Sequence, residues 1–317
     1  MLRIHKISYK LEVVAPLRIG SGIQIGNLNL AKSPSSRYYI PGNTLRGLIG
    51  KQLLKIVCQN LRHGKVPNCK ICKENCAYRS LIANNRHGEG AYFHFGVIED
   101  RLKLISIPMI RLLRDRKVVE KERAPFFYQA VVPEKGNTIH AESQIYVVNA
   151  DEDSIEALRQ GILLSKYQCI GGRRSWGWGF IKDTKITEIK EISIEFKEET
   201  LEEITLKLIT PLPIDKNYGI QGTIIKALKT LTSLGNINQK NILVKIRSPF
   251  RLIPIGYWSE IERKPYTELA LGENTVLIIE GKIPQFVKDI ASIFGISLDN
   301  KWYTKAGYGI AEHVKNL

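Results

Sequence analysis

The order strand, helix, strand, strand, helix, strand runs through this chain twice, and each pass closes on a basic residue followed by Gly-aromatic-Gly. Few architectures accommodate such a repeat. In the first pass, residues 3–15 are rich in β-branched and apolar residues and read as a strand. Pro16 to Ser36, with Gly20, Gly22 and Gly26, reads as a long loop. Thr44 to Asn60 spaces Leu45, Leu48, Ile49, Leu53, Ile56 and Val57 as a helix does, with Asn43 or Thr44 as N-cap. Residues 92–98, 125–132 and 143–149 read as strands, interrupted by a charged hairpin-like insertion over 103–124. A helix over 152–167, a glycine loop over 171–179 and a strand over 179–189 complete the pass. The second pass has strands at 203–210, 242–254 and 267–281, helices at 222–234 and 285–296, and a last strand after the loop Lys305-Ala306-Gly307-Tyr308-Gly309.

This grammar is that of the split βαβ, or ferredoxin-like, unit. The expected fold is therefore α+β, with two tandem ferredoxin-like (RRM-like) βαββαβ domains, residues 1–195 and 200–317, joined through the acidic segment Glu195 to Glu203.

Charge narrows the function. The 317 residues carry 47 Lys+Arg against 31 Asp+Glu, a net charge of +16. The excess is uneven: residues 1–195 hold 31 basic and 18 acidic residues, residues 196–317 hold 16 and 13. From Val13 to Lys73 there is no acid at all, against ten basic residues, among them Arg18, Lys32 and Arg46. Such a field attracts a polyanion, and nucleic acid is the usual one. A solvated basic face or a thermophile's lysine-rich surface is the bland alternative. The glycine loops inside the acid-free stretch favour nucleic acid. No apolar run approaches the roughly 18 residues of a membrane span. The first residues have neither the apolar core nor the cleavage site of a secretory signal. A soluble cytoplasmic protein is the expectation.

Four of the five cysteines, Cys58, Cys69, Cys72 and Cys76, are spaced C-x10-C-x2-C-x3-C. Four thiolates satisfy tetrahedral Zn²⁺, and a full shell makes the metal structural rather than catalytic. His63 is a possible substitute ligand. Reduced thiols or a disulfide are the alternatives. A zinc deaminase is set aside, because His87-Gly88-Glu89 follows the C-x-x-C instead of preceding it. Cys169 stands apart and reads as core.

Two segments suit contact with phosphates. In Ile170-Gly171-Gly172-Arg173-Arg174-Ser175-Trp176-Gly177-Trp178-Gly179, the glycines let backbone approach a phosphate and the arginines add forked donors. Gly171, Gly172, Arg173, Arg174, Ser175, Gly177 and Gly179 are the candidate contacts. Trp176 and Trp178 read instead as core, since one of an alternating pair faces inward. In Ile40-Pro41-Gly42-Asn43-Thr44-Leu45-Arg46-Gly47, a helix N-terminus after a glycine turn suits an anion, with Asn43, Thr44 and Arg46 as candidates. It is not a Walker loop, since Leu48-Ile49 replaces Lys-Ser/Thr.

These two segments, with the C-x-x-C after the first helix, resemble the RAMP superfamily (repeat-associated mysterious proteins), RNA-binding subunits of CRISPR systems. Residues 1–190 look most like the guide-RNA-binding backbone subunits of type III effector complexes, and Ala124-Pro125-Phe126-Phe127-Tyr128 through Gly136-Asn137-Thr138 resembles the strand after their thumb insertion. The resemblance implies guide RNA along the basic groove, other effector subunits as partners, and a thumb at 103–124 carrying Arg111, Arg114, Arg116 and Lys117. A solvated basic hairpin is the alternative there.

One departure matters. Target-cleaving relatives carry an Asp in the loop after the first strand, where Asn29 stands here, and Val13 to Lys73 holds no acid to replace it. An amide neither binds a metal ion with charge nor accepts a proton as a carboxylate does. Target slicing at this loop is not expected, and no catalytic residue is assigned. The leading expectation is a non-catalytic guide-RNA-binding subunit of a type III CRISPR effector in antiviral defence. One alternative is a metal-independent CRISPR repeat endoribonuclease, with His5, His63, His87 or His94 as base. Another is a zinc-stabilised RNA-binding protein outside CRISPR.

Overall fold

The structure, a computed structural model, describes residues 1–19, 38–64, 69, 72, 74–84, 86–109, 126–172, 174–197, 199–235, 242–247, 249–259 and 264–314. In the first half the order is β1 (Leu2–Val14), β2 (Tyr39–Ile40), α1 (Gly42–Val57), the short α2 (Gln59–Arg62), a π-helical turn (Arg79–Ala83), β3 (Gly90–Phe93), β4 (Gly96–Ile98), β5 (Leu102–Met109), β6 (Phe126–Pro133), β7 (Thr138–Val148), α3 (Glu152–Leu163) and β8 (Phe180–Ile194). The second half adds β9 (Thr200–Leu208), β10 (Leu212–Pro213), α4 (Gly219–Ser233), β11 (Leu243–Arg247), β12 (Leu252–Ser259), β13 (Lys264–Leu271), β14 (Val276–Pro284), α5 (Val287–Phe294) and β15 (Ala311–His313).

The fold is mixed α+β with antiparallel sheets. The first sheet runs β2-β4-β7-β1-β8, with β3 also on β7. The second runs β11-β14-β9-β15. In both, the strand that opens the half lies between the last strand of that half and the strand before its second long helix.

Each half also carries an inserted hairpin at the same point in the order. In the first, β5 pairs with β6, from Leu102↔Pro133 to Met109↔Phe126. In the second, β12 pairs with β13, and β10 joins them in a separate three-stranded sheet. The second hairpin corrects the sequence reading. The single strands expected over 242–254 and 267–281 are each two strands, interrupted near Pro249 and by the turn at Gly272–Asn274, where Asn274 has φ +64°. Proline cannot donate to a ladder, and a left-handed residue turns the chain.

Strand β1 shows how the halves are joined. Successive strand side chains point to opposite faces. Ile7, Tyr9, Leu11 and Val13 are buried on one face, under Leu45, Ile49 and Leu53 of α1 and Leu158 and Ile162 of α3. Leu2 and Ile4 are buried on the other. There they meet Tyr92, Tyr146, Val148 and Ile194 and the core of the second half, including Leu228, Leu231, Ile290 and Phe294. The second half thus covers one end of the back of the first sheet. At the other end of that back face Lys10 and Glu142 pair in the open.

The helices obey ordinary end rules. Asp151 caps α3 by accepting from the Ser154 N–H at 2.6 Å. Gly295, at φ +73°, ends α5. Among the described residues no helix is long and apolar enough to cross a membrane.

Candidate nucleic-acid interface

The first glycine loop is folded onto the end of β1. The Gly172 N–H donates to the Arg18 carbonyl at 2.7 Å, and the Gly179 N–H to the Pro16 carbonyl at 3.0 Å. Ile170 N–H closes the loop on the Gly179 carbonyl at 2.9 Å. Two glycines are demanded by this closure. A Cβ at Gly171, φ +86°, would stand 2.3 Å from the Arg18 oxygen, and one at Gly179, φ +66°, 2.1 Å from the Ile170 oxygen. Gly177, φ +77°, faces open space. The structure therefore brings Arg18, Gly171, Gly172, Arg174, Ser175, Gly177 and Gly179 together, with Arg174 and Ser175 exposed.

A column of aromatic rings stands beside the loop. The Arg18 guanidinium, itself buried, lies 4.4 Å from the Tyr128 ring centroid. Tyr128 meets Trp176 edge-to-face at 6.2 Å, and Trp176 meets Trp178 in the same way at 5.9 Å. Trp178 points inward as expected, but Trp176 is 45 % exposed. The core reading of the pair holds for Trp178 only. Tyr128 was beyond sequence reasoning, because its place beside Arg18 depends on the β5–β6 hairpin returning next to β1: Leu17 and Val131 form a bridge there.

Asn43, Thr44 and Arg46 lie at the start of α1. That helix end abuts the second glycine loop: a Cβ at Gly42 would stand 2.2 Å from the Phe93 oxygen and 2.3 Å from that of Ala306. Arg46 donates to the Ile82 carbonyl. Burial pulls its guanidinium down to about 10, against a smaller opposing effect of Tyr78. Asn43 and Arg46 line a cavity of about 310 Å³ with Lys51, Tyr78 and Trp302.

The cysteines converge. Cys58 follows α1, its N–H donating to the Leu54 carbonyl at 3.0 Å, and Cys76 opens the turn into Arg79–Ala83 by accepting from Arg79 and Ser80. Cys58, Cys69, Cys72 and Cys76 all line one cavity of about 130 Å³, and none forms a disulfide. Burial, then the neighbouring thiols of Cys58, Cys76 and Cys72, push the Cys69 thiol up. Among the described residues no group of three or more His, Cys, Asp or Glu stands in metal-holding geometry. The donor chemistry nevertheless fits a zinc: four partly buried thiols around one small space.

The candidate histidines separate. His63 is exposed after α2, and His5 is partly buried on β1. His87 and His94 are structural clasps between the halves. His87 Nε2–H donates to the Ser297 carbonyl and His94 Nε2–H to that of Ile293, each at 2.9 Å. Burial pulls both rings down to about 4, so both are neutral near pH 7. Lys32, Asn29, Arg111, Arg114, Arg116, Lys117 and Arg173 lie outside the described residues.

A family model described as the RAMP superfamily matches residues 10–182, more than half of the chain. Among solved structures, a chain from the type III-B Cmr-beta complex bound to cognate target RNA, determined by cryo-electron microscopy, aligns at 13 % identity with a TM-score of 0.39. The alignment covers 59 % of this chain and 61 % of that one, so this chain spans less than two thirds of that neighbour's length. A likeness of that size carries no functional argument. No curated protein matches the chain.

Proposed function

The chain belongs to the RAMP superfamily, and from that premise we propose that it is a guide-RNA-binding subunit of a type III CRISPR ribonucleoprotein effector, acting without catalysis of its own. The observation that carries this reading is the closed glycine loop on Arg18. It exposes Arg174 and Ser175 at the edge of a half whose residues Val13 to Lys73 contain no acid. Exposed backbone at Gly177 and a guanidinium beside it suit a phosphodiester strand. The non-catalytic part is supported by the missing carboxylate after β1 and by the commitment of His87 and His94 to carbonyls of the second half.

The finer fold reading belongs here too. Residues 1–195 and 200–317 are read as two ferredoxin-like domains, supported by the shared order of fourth, first, third and second strand in the two sheets. The nearly neutral second domain is the surface for other effector subunits. Cys58, Cys69, Cys72 and Cys76 would hold a structural zinc, which supplies folding energy at the end of α1 and no chemistry on RNA.

The test incubates purified protein with end-labelled repeat RNA and unrelated RNA, with and without Mg²⁺, on paired native and denaturing gels. The reading expects a shift with intact RNA. Arg174→Ala should weaken binding and flatten its salt dependence by roughly one unit of log–log slope. Specific cutting lost on substitution of His5 or His63 would move the assignment to the endoribonuclease.

A further inference from the structure

We infer that Trp176 is a stacking platform for one unpaired nucleobase, with Arg174 taking the adjoining phosphate; this rests on the RNA-binding reading above and adds to it the strand state that the site selects.

The first observation is exposure. Alternation along Trp176-Gly177-Trp178 sends one indole inward and one out: Trp178 is 8 % exposed and Trp176 45 %. Nearly half of the Trp176 surface therefore stays within reach of a ligand from solvent.

The second is orientation. The Trp176 ring stands at 87° to Tyr128 and at 85° to Trp178, so it is braced from β6 and from its own loop at once. Tyr128 is in turn covered by Arg18, whose carbonyl accepts from Gly172. The column from Arg18 to Trp178 is thus tied to the loop at both ends. A ring held in place before its ligand arrives loses little freedom on binding.

The third is charge. Between Ile170 and Lys182 there is no acid, while Arg173, Arg174 and Lys182 are basic. A partner that is flat on one side and anionic on the other fits this surface, and a nucleotide is such a partner. Both faces of a base inside a duplex are already covered by neighbouring pairs. An indole therefore stacks on a base that is unpaired or splayed out.

The test uses the full chain and two RNA probes, a short single strand and a blunt duplex of the same sequence. Affinity and intrinsic tryptophan emission are read together, with four tryptophans contributing in the wild type. The wild type should bind the single strand more tightly than the duplex and lose emission on binding. Trp176→Ala should weaken the single-strand complex roughly tenfold, about 1.4 kcal/mol, leave the duplex complex nearly unchanged and abolish most of the emission change. Trp176→Phe should keep most of the affinity without the emission change. If the wild type binds RNA but Trp176→Ala keeps both affinity and quenching, the platform is wrong, the RNA-binding reading survives, and the indole is a protein contact. If the wild type binds neither probe, both readings fall. Should Trp176→Ala not fold, unchanged wild-type emission at saturating single strand is itself enough to overturn the platform.

Discussion

The Phe93 N–H donates to the Lys305 carbonyl at 2.9 Å, so the end of β3 in the first half is hydrogen-bonded to the glycine loop that closes the second. That bond turns the repeated glycine loop to a different use in each half. The first loop lies open beside Arg174, whereas Ala306 and Gly307 of the second are pressed against Gly42 and Phe93.

The side chain of Lys305 gives the first prediction. It is fully buried, its Nζ has no hydrogen-bond partner among the described residues, and the Tyr92 ring has its centroid 5.7 Å away. Burial, then Arg46, pulls the ammonium down to about 7 from 10.5. The unfolded chain therefore binds more protons between pH 7 and 10.5, and stability should rise with pH across that window. Lys305→Met removes up to about 4 kcal/mol of this cost at pH 7 and should raise Tm. Thermal melts from pH 7 to 10 check it: the variant should gain most at pH 7 and converge on the wild type above pH 10. A lower Tm for the variant at pH 7 would show that Nζ has a partner that matters.

His87 and His94 give the opposite edge of the pH range. Their folded values near 4 lie below the ordinary 6.5, so the unfolded chain binds more protons between pH 4 and 6.5. Their contribution is fully present above pH 6.5 and is lost as pH falls toward 4. From pH 7 to 5, His87 alone should cost roughly 2 kcal/mol. His87→Gln, which can still donate to the Ser297 carbonyl but does not titrate, should flatten the acid limb of the Tm–pH curve. An unchanged limb would mean that other groups control acid unfolding.

Much of this was legible in the sequence, for reasons that can be named. Helix α1 announced itself through the spacing of Leu45, Ile49 and Leu53, all buried, and the glycine loop through residues that only a tight turn needs. The hairpin β12–β13 was not legible. A strand that ends near Pro249 and resumes at Leu252 has the same alternating composition as one long strand, and only pairing tells them apart. The two-sided burial of β1 was hidden for the same reason. Leu2 and Ile4 alternate with polar residues as a one-sided strand would, and much of what covers them comes from residues 204–311. A sequence shows a histidine but not the carbonyl it meets, so His87 and His94 read there as candidate bases.

The glycine loop separates structural from surface glycine. Gly179→Ala puts a Cβ against the Ile170 carbonyl at a φ that disfavours side chains, and the Gly179 N–H must still reach Pro16. A loss of at least about 2 kcal/mol is expected, read as a drop in Tm. Gly177→Ala shares the positive φ but meets no atom of the described residues within 4 Å, so its cost should stay at about 1 kcal/mol. Equal losses in the two variants would mean that the loop does not close as described.

The cysteine cavity makes the last prediction. Cys58 sits at the end of α1 and Cys76 at the entry to the turn Arg79–Ala83, with Cys69 and Cys72 from the segment between. An ion bound by all four would tie two helical ends together across 18 residues of sequence, from position 58 to position 76, and so close that loop. Purified protein should carry about one zinc per chain by elemental analysis. Cys72→Ser should release it and lower Tm, because three thiolates and a neutral hydroxyl bind zinc far less well than four thiolates. A strong chelator should move the wild type to the Tm of the variant and leave the variant where it is. A metal-free wild type whose Tm matches that of Cys72→Ser would remove the zinc and leave four reduced thiols around an ordinary cavity.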